Sequence, residues 1–401
     1  MKLHRFAIGA LAVAAAFTLA YRYDVPPLGN LKKLLGSVFF VASTTENELH
    51  ARYTNAEQGV GKIKILIVPG HDEEVWGTEY RGVREADLTR KVGTELFALL
   101  RQEKEFDVTV TRDERGYTPE FASYFARERD AIQSFYNTQE GIMDTVVSAG
   151  LVERYHGVPH NVADENVRVK LYGINKWANE HKIDLVIHLH MNDYNRPWEK
   201  PGEYSGFAIY VPERQFSNAG ASVAVARAVA ERLAHNGPQS DLPKENTGVV
   251  EDQDLIAVGT NNSLDAAGIL IEYGYIYESQ LWEPKIQGAM LHELALQTFW
   301  GVKDFFEIPA QKTAVTSLLP HEWNNDLASK TKSRDVLSLQ SALIREGLYP
   351  PSEGDLHTCP INGNYGKCTL AAVQSFQKKY GIAPANGRVG QHTREKLNEL
   401  Y

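Results

Sequence analysis

Apolar positions along the chain follow two alternating rhythms. Apolar runs of strand length occur at "KIKILIVPGH", a buried strand over residues 62–68 stopped by Pro69-Gly70, and at "FDVTVTR", "DLVIHLH", "GFAIYV" and "AGILIEYGYI". Between them, apolar residues recur three and four apart. In "EADLTRKVGTELFALLRQ" Leu88, Val92, Leu96 and Leu99 share one face, and "VRVKLYGINKWANEHK", "SNAGASVAVARAVAERLAHN" and "IQGAMLHELALQTFWGVKDFF" also read as helices. Period two marks strands and period 3.6 marks amphipathic helices. Their alternation predicts an α/β fold, a mostly parallel twisted sheet with helices on both faces. Residues 113–165 interrupt the rhythm with mixed polar sequence, helical in "PEFASYFARERDAIQSFY". They read as an insertion, either a lid or self-inhibiting segment or a plain surface excursion.

The two ends depart from this pattern. "MKLHR" is a short basic region, and "FAIGALAVAAAFTLAY" is an apolar stretch of signal-peptide length with small residues late in it. Residues 1–21 are therefore expected to direct export, as a cleaved signal peptide or an uncut N-terminal membrane anchor. Residues 22–60 read as a linker, 61–306 as the α/β domain, and 307–333, with two prolines, as a second linker. Residues 334–401 read as a small all-α three-helix C-terminal domain. Export also bears on the only two cysteines, Cys359 and Cys368 in "CPINGNYGKC". In an oxidising compartment they are expected to pair, and closing so small a loop stabilises by roughly 2–3 kcal/mol. Neither their spacing nor their neighbours suit zinc.

Bulk composition narrows the partners. A net charge of −9 over 401 residues leaves no basic footprint, so nucleic acid is not expected as a partner. Six Trp and nineteen Tyr suit a core as well as a carbohydrate or peptide cleft.

The chemistry gathers at strand ends, where ligands bind in such sheets. His71 follows the first strand, His188 and His190 close "DLVIHLH" on one face, and Glu272 lies near the end of "ILIEYG". A catalytic zinc takes three His or carboxylate ligands and keeps one position open. The candidates are His71, Glu85 and one histidine of the pair. Glu272 would then be a free carboxylate that takes a proton from metal-acidified water.

Three blocks carry a resemblance. "VPGHDEEVWGTEYRGVREADL", "ANEHKIDLVIHLHMND" and "ILIEYGYIYE" resemble the signature blocks of the zinc-dependent N-acetylmuramoyl-L-alanine amidases, cell-wall enzymes that cut between muramic acid and L-alanine. Matching positions are Pro69-Gly70-His71, Gly82-x-x-Glu85, Ala178-Asn179 with Asp184-Leu185, His190-x-Asn192 and Glu272-Tyr273-Gly274-Tyr275. The resemblance implies a zinc amidase/carboxypeptidase-like fold over about residues 62–306. It also implies one Zn2+ held by His71, Glu85 and His190, with Glu272 as general base and then acid. His188 stands where the family usually has Ser. Together with Asn192 it would touch substrate or support a ligand, unless it merely packs. Asp72 and Glu73 replace glycines and, with Glu74, add negative charge near the metal, while Val68 replaces an aspartate. His71-x-x-Glu74 also mimics the ligand pair of zinc carboxypeptidases, which leaves a stem-peptide carboxypeptidase or endopeptidase as one alternative. A non-catalytic wall-binding protein is another.

Residues 334–401 resemble a peptidoglycan-binding domain through Leu339-Gln340, Gly363, Tyr365-Gly366, Thr369, Ala372-Val373 and Phe376-Gln377. The expected partner is therefore peptidoglycan, in the cell envelope or outside the cell, with a membrane tether and a regulatory protein partner left open.

Overall fold

The computed structural model describes residue 40 and residues 43–159, 163–308, 317–352 and 354–401. The expected export segment at 1–21 lies outside them, as do residues 22–39 and 41–42 of the first linker and 309–316 of the second. Among the described residues no helix is long and apolar enough to cross a membrane.

In chain order the elements are α1 (Glu46–Glu57), β1 (Ile63–Pro69), β2 (Glu79–Tyr80), β3 (Val83–Arg84), α2 (Glu85–Leu100) and β4 (Phe106–Val110). A hairpin of β5 (Arg112–Asp113) and β6 (Gly116–Tyr117) leads to α3 (Pro119–Arg127), α4 (Arg129–Ser148) and α5 (Glu165–His181). Then come β7 (Leu185–Asn192), β8 (Ala208–Pro212), α6 (Ala219–Leu233), β9 (Val249–Asp252) and β10 (Ala267–Tyr275). The chain closes with α7 (Ser279–Trp282), α8 (Gln287–Phe305), α9 (Arg334–Arg345), α10 (Lys367–Lys379) and α11 (Gln391–Leu400).

Six strands form one sheet in the order β4-β1-β7-β10-β8-β9. All neighbours run parallel except β8 against β10. On one face Ile65, Ile67, Leu185, Ile187, Leu189, Ile269 and Ile271 pack with apolar residues of α2, α6 and α8. On the other, Leu66, Val68 and Val186 pack with Val169, Tyr172 and Trp177 of α5 and with Phe121 and Ile132 of α3 and α4. Burial on both faces explains why these strands read as continuous apolar runs. Alternation puts His188, His190 and Glu272 on the α5 face, and the register sets Glu272 opposite His190.

Three expectations change. Within the linker expected over 22–60, residues 46–57 form α1, whose N-terminus is closed by a reciprocal Thr45–Glu48 capping box. Leu49, Tyr53 and Ala56 are buried, with Tyr53 stacked on Phe306 at 5.1 Å; their stripe at spacings of four and three is masked in the sequence by charged neighbours. The second linker also ends early, because Leu318, Leu319, Trp323 and Leu327 are buried before residue 333. In the insertion, the helix expected in "PEFASYFARERDAIQSFY" breaks at Glu128 into α3 and α4, and α4 runs on to Ser148. Both pack on α5 as part of the core.

The C-terminal helices join the same apolar core as α8, and Cys359 and Cys368 form a disulfide.

Candidate metal centre

Three strand ends and one helix start build the site. β1 ends at Pro69-Gly70, and His71 takes a left-handed backbone, φ 62°, which is strained for a residue with a Cβ. That turn brings the His71 ring to 5.1 Å from the His190 ring, edge to face. Gly70 lies against the His190 imidazole, where any Cβ would collide with the ring. Glu85 is the first residue of α2 and is buried between them. Its Oε1 lies 3.0 Å from His190 Nδ1, and its Oε2 lies 3.2 Å from His71 Nε2. The N–H groups of Met191 and Thr78 each donate to this carboxylate at 3.1 Å.

Burial alone would raise the Glu85 carboxyl, but His71 and hydrogen bonds from both imidazoles hold it well below the usual carboxylate range. Burial pulls both histidines down. Glu85 more than offsets this at His71, which ends raised, but not at His190, which stays lowered.

One donor atom from each of His71, Glu85 and His190 lies within 4.8 Å of the others. Two imidazole nitrogens and a carboxylate oxygen are a donor set suited to zinc. Gly77 completes the cradle, since a Cβ there would strike Glu85 and His71. Glu272 reaches the same edge, and its Oε2 is buried without a hydrogen-bond partner. Burial, and then the charges of Glu85 and Glu245, raise its carboxyl well above the usual range. The residues present therefore fit a metal ion with a poised carboxyl beside it.

His188 does not reach the opening. It is fully buried one strand pair below His190, in register with Val68 and Leu270, and neither ring nitrogen has a partner. Burial, and then the neighbouring His190, push it down to about 3, so it packs as a neutral ring. Of the alternatives left open for His188, this burial matches packing: alternation gives it the same face but a deeper level. Asn192 turns its amide to Glu245, donating at 3.0 Å. The buried Glu245 carboxylate also takes the hydroxyls of Tyr210, Ser240 and Tyr275. The network fixes the end of β7 beside β8 and β10.

The acidic run is also neutralised. Asp72 is buried and accepts from Lys170 Nζ at 2.7 Å, while Lys170 lies 3.1 Å from Glu74. Glu74 is thereby engaged outside the three-donor cluster, so the His71-x-x-Glu74 pairing does not form. Arg112, 1% exposed, donates to the carbonyls of Gly70 at 3.0 Å and Ala86 at 2.9 Å, and lies 3.5 Å from Glu73.

Sequence reasoning missed Arg112, Glu245, Thr78 and Lys170. Only Arg112 left a signal, as a cation closing the apolar run "FDVTVTR". Glu245 sits in a polar stretch where nothing distinguishes it.

Comparison with known proteins extends the picture. Residues 65–280, more than half of the chain, match the family described as N-acetylmuramoyl-L-alanine amidase. Residues 332–397 match a peptidoglycan binding domain family. No curated protein matches the chain. Similar solved structures include an N-acetylmuramoyl-L-alanine amidase from Clostridium difficile 630, at 17% identity and TM-score 0.37, covering 62% of this chain and 98% of that one. AmiC2 of Nostoc punctiforme gives 16% identity, TM-score 0.38 and the same 62% and 98%. Ami1 from Mycobacterium smegmatis gives 13% identity and TM-score 0.41, again covering 62% and 98%. The match over more than half its length, on the segment that holds all four site residues, makes this chain a member of the N-acetylmuramoyl-L-alanine amidase family, a family of enzymes, with a peptidoglycan binding domain behind its amidase domain.

Proposed function

We propose that the chain is an exported zinc hydrolase that cleaves the amide between N-acetylmuramic acid and L-alanine in peptidoglycan. The observation that carries the reading is the convergence of His71, Glu85 and His190 within 4.8 Å, with the unpartnered Glu272 oxygen at the same edge. His71, Glu85 and His190 would hold one zinc ion. When bound, such an ion polarises a carbonyl and acidifies water. Met191 and Thr78 hold the Glu85 carboxylate in place through their N–H groups. Glu272 takes a proton from the attacking water as its oxygen adds to the carbonyl carbon. It then delivers that proton to the alanine nitrogen as the C–N bond breaks, so one carboxyl serves as base and then acid.

The apolar stretch at residues 6–21 behind a basic start supports export to the envelope, cleaved or kept as an anchor. The domain partition is read as a catalytic unit over 61–306 and a wall-binding unit that starts by residue 317.

The test is the purified full chain on intact sacculi, with products read by mass spectrometry. Zinc-dependent release of stem peptides with a free N-terminal L-alanine is expected. A chelator stops it, and Glu272→Gln stops it while retaining zinc. Cleavage inside the stem peptide instead would turn the assignment to the peptidase alternative.

A further inference from the structure

We propose that the exposed rings of Trp76, Tyr194 and Trp198 form a saccharide subsite beside the metal centre, taking the apolar face of a pyranose ring of the glycan strand. This rests on the amidase reading above, in which a hexose lies one lactyl group away from the bond that breaks.

Seven large apolar side chains are exposed among the described residues, and Val75, Trp76, Tyr194 and Trp198 are four of them. These four stand on two loops, after β1 and after β7, at the strand ends that carry His71 and His190. Exposed apolar residues on adjoining loops mark a binding site more often than a scatter of single residues does, and these two loops are bonded to each other. Trp76 adjoins Gly77, against which Glu85 and His71 pack. Tyr194 stands two residues beyond Asn192.

The loops are braced. Thr78 Oγ1 donates to the Asp193 carboxylate, joining one loop to the other. Arg196 donates to both Asp193 oxygens, at 2.8 and 3.0 Å, and to the Glu79 carbonyl at 2.9 Å. Its guanidinium lies over the rings of Tyr80 and Tyr277. The carbonyl of Trp76 accepts from Ala86 N–H at 3.1 Å, and one face of its ring is covered by Arg84 at 4.4 Å. Tyr204 meets Tyr194 edge to face at 5.0 Å. Trp198, 64% exposed, gives its carbonyl to Arg196 at 2.7 Å. A rigid frame thus holds flat rings out in water beside the site.

The chemistry of the rim selects the ligand. A pyranose with equatorial substituents presents axial C–H groups on each face, and these stack on an electron-rich ring. A peptide headed by alanine offers such rings only a methyl group. The cations nearest the acidic run, Lys170 and Arg112, are already paired with Asp72, Glu74 and Glu73.

Two measurements on the full chain test the subsite. The first compares kcat and KM on a disaccharide-peptide and on a sugar-free D-lactoyl-peptide. For Trp198→Ala we expect KM for the disaccharide-peptide to rise about tenfold, kcat to hold, and the preference for the sugar-bearing substrate to fall about tenfold; Trp198→Phe keeps most of that preference. An unchanged preference, or an equal loss on both substrates, would overturn the subsite. The second titrates peptide-free disaccharide against intrinsic tryptophan fluorescence. Saturable binding in the wild type that Trp198→Ala and Tyr194→Ala weaken supports the subsite, and binding equal in all three overturns it. Because the titration needs no hydrolysis, inactivity on both substrates would sink the amidase reading while leaving this arm decisive.

Discussion

Glu272 combines catalytic and structural consequences in one side chain. Its Oε2 is buried without a partner, and burial and two nearby carboxylates raise its proton affinity. A carboxyl raised on folding destabilises the metal-free protein wherever it must ionise, and that cost disappears below the unfolded pKa, near 4.5. Metal-free Glu272→Gln should therefore melt above the wild type at pH 7. The gap should grow as pH rises above about 4.5 and close below it. With zinc bound, the same substitution should lower turnover by about 10²–10⁴-fold, the usual range for a lost general base. Thermal melts in chelator across pH, paired with turnover in zinc, check both halves. A metal-free variant that melts below the wild type at pH 7 would contradict the assigned burial.

At the scale of elements, Arg112 ties the site together. Its guanidinium joins the carbonyl of Gly70, just before His71, to that of Ala86, just after Glu85. The strained His71 turn and the start of α2 are thus held to one guanidinium nitrogen while the other faces Glu73, a planar spread of donors that the compact ammonium of lysine matches only in part. Removing a group that orients ligands typically costs 10–100-fold in metal affinity. Arg112→Ala should lose about that much zinc affinity in competition with a chelating indicator, with Arg112→Lys between it and the wild type. A variant that binds zinc as tightly as the wild type would show that the turn holds itself. The sequence revealed β1, β7 and β10 because both of their faces are buried, which keeps each run largely apolar up to the site residues at its end. Position at a strand end or helix start made His71, Glu85, Glu272 and one of His188 and His190 candidates, and the family resemblance selected His190. The sequence concealed β9, a short strand with only alternate residues buried, and α1, whose apolar stripe is three residues wide. Glu245 stayed hidden because its role depends on donors drawn from three separate elements and a loop.

Across the whole molecule, the C-terminal peptidoglycan binding domain is docked, not loosely strung. Glu293 of α8, 1% exposed, accepts from Asn236 Nδ2 at 2.8 Å, from Ser317 Oγ at 3.0 Å and from the Leu318 N–H at 2.7 Å. Lys332 pairs with Glu283 at 2.8 Å, and Gly363 lies so close to Ile286 that a Cβ would crowd it. The apolar cluster runs without a break from α8 into α9 and α10. Fixed geometry makes the effective wall concentration at the active site depend on orientation as well as tether length. It also predicts one cooperative calorimetric transition for the full chain. Glu293→Ala leaves four buried donors, on Asn236, Gln297, Ser317 and the Leu318 N–H, without their acceptor, at about 1–3 kcal/mol each. The share of that loss carried by Ser317 and Leu318 falls on the seam, so the variant should melt in two steps, the C-terminal module first. Glu293 lies outside the catalytic machinery, so hydrolysis of a soluble disaccharide-peptide should persist while cleavage of intact sacculi declines. Two resolved transitions already present in the wild type would mean that the seam transmits no stability and that the modules act as separate bodies.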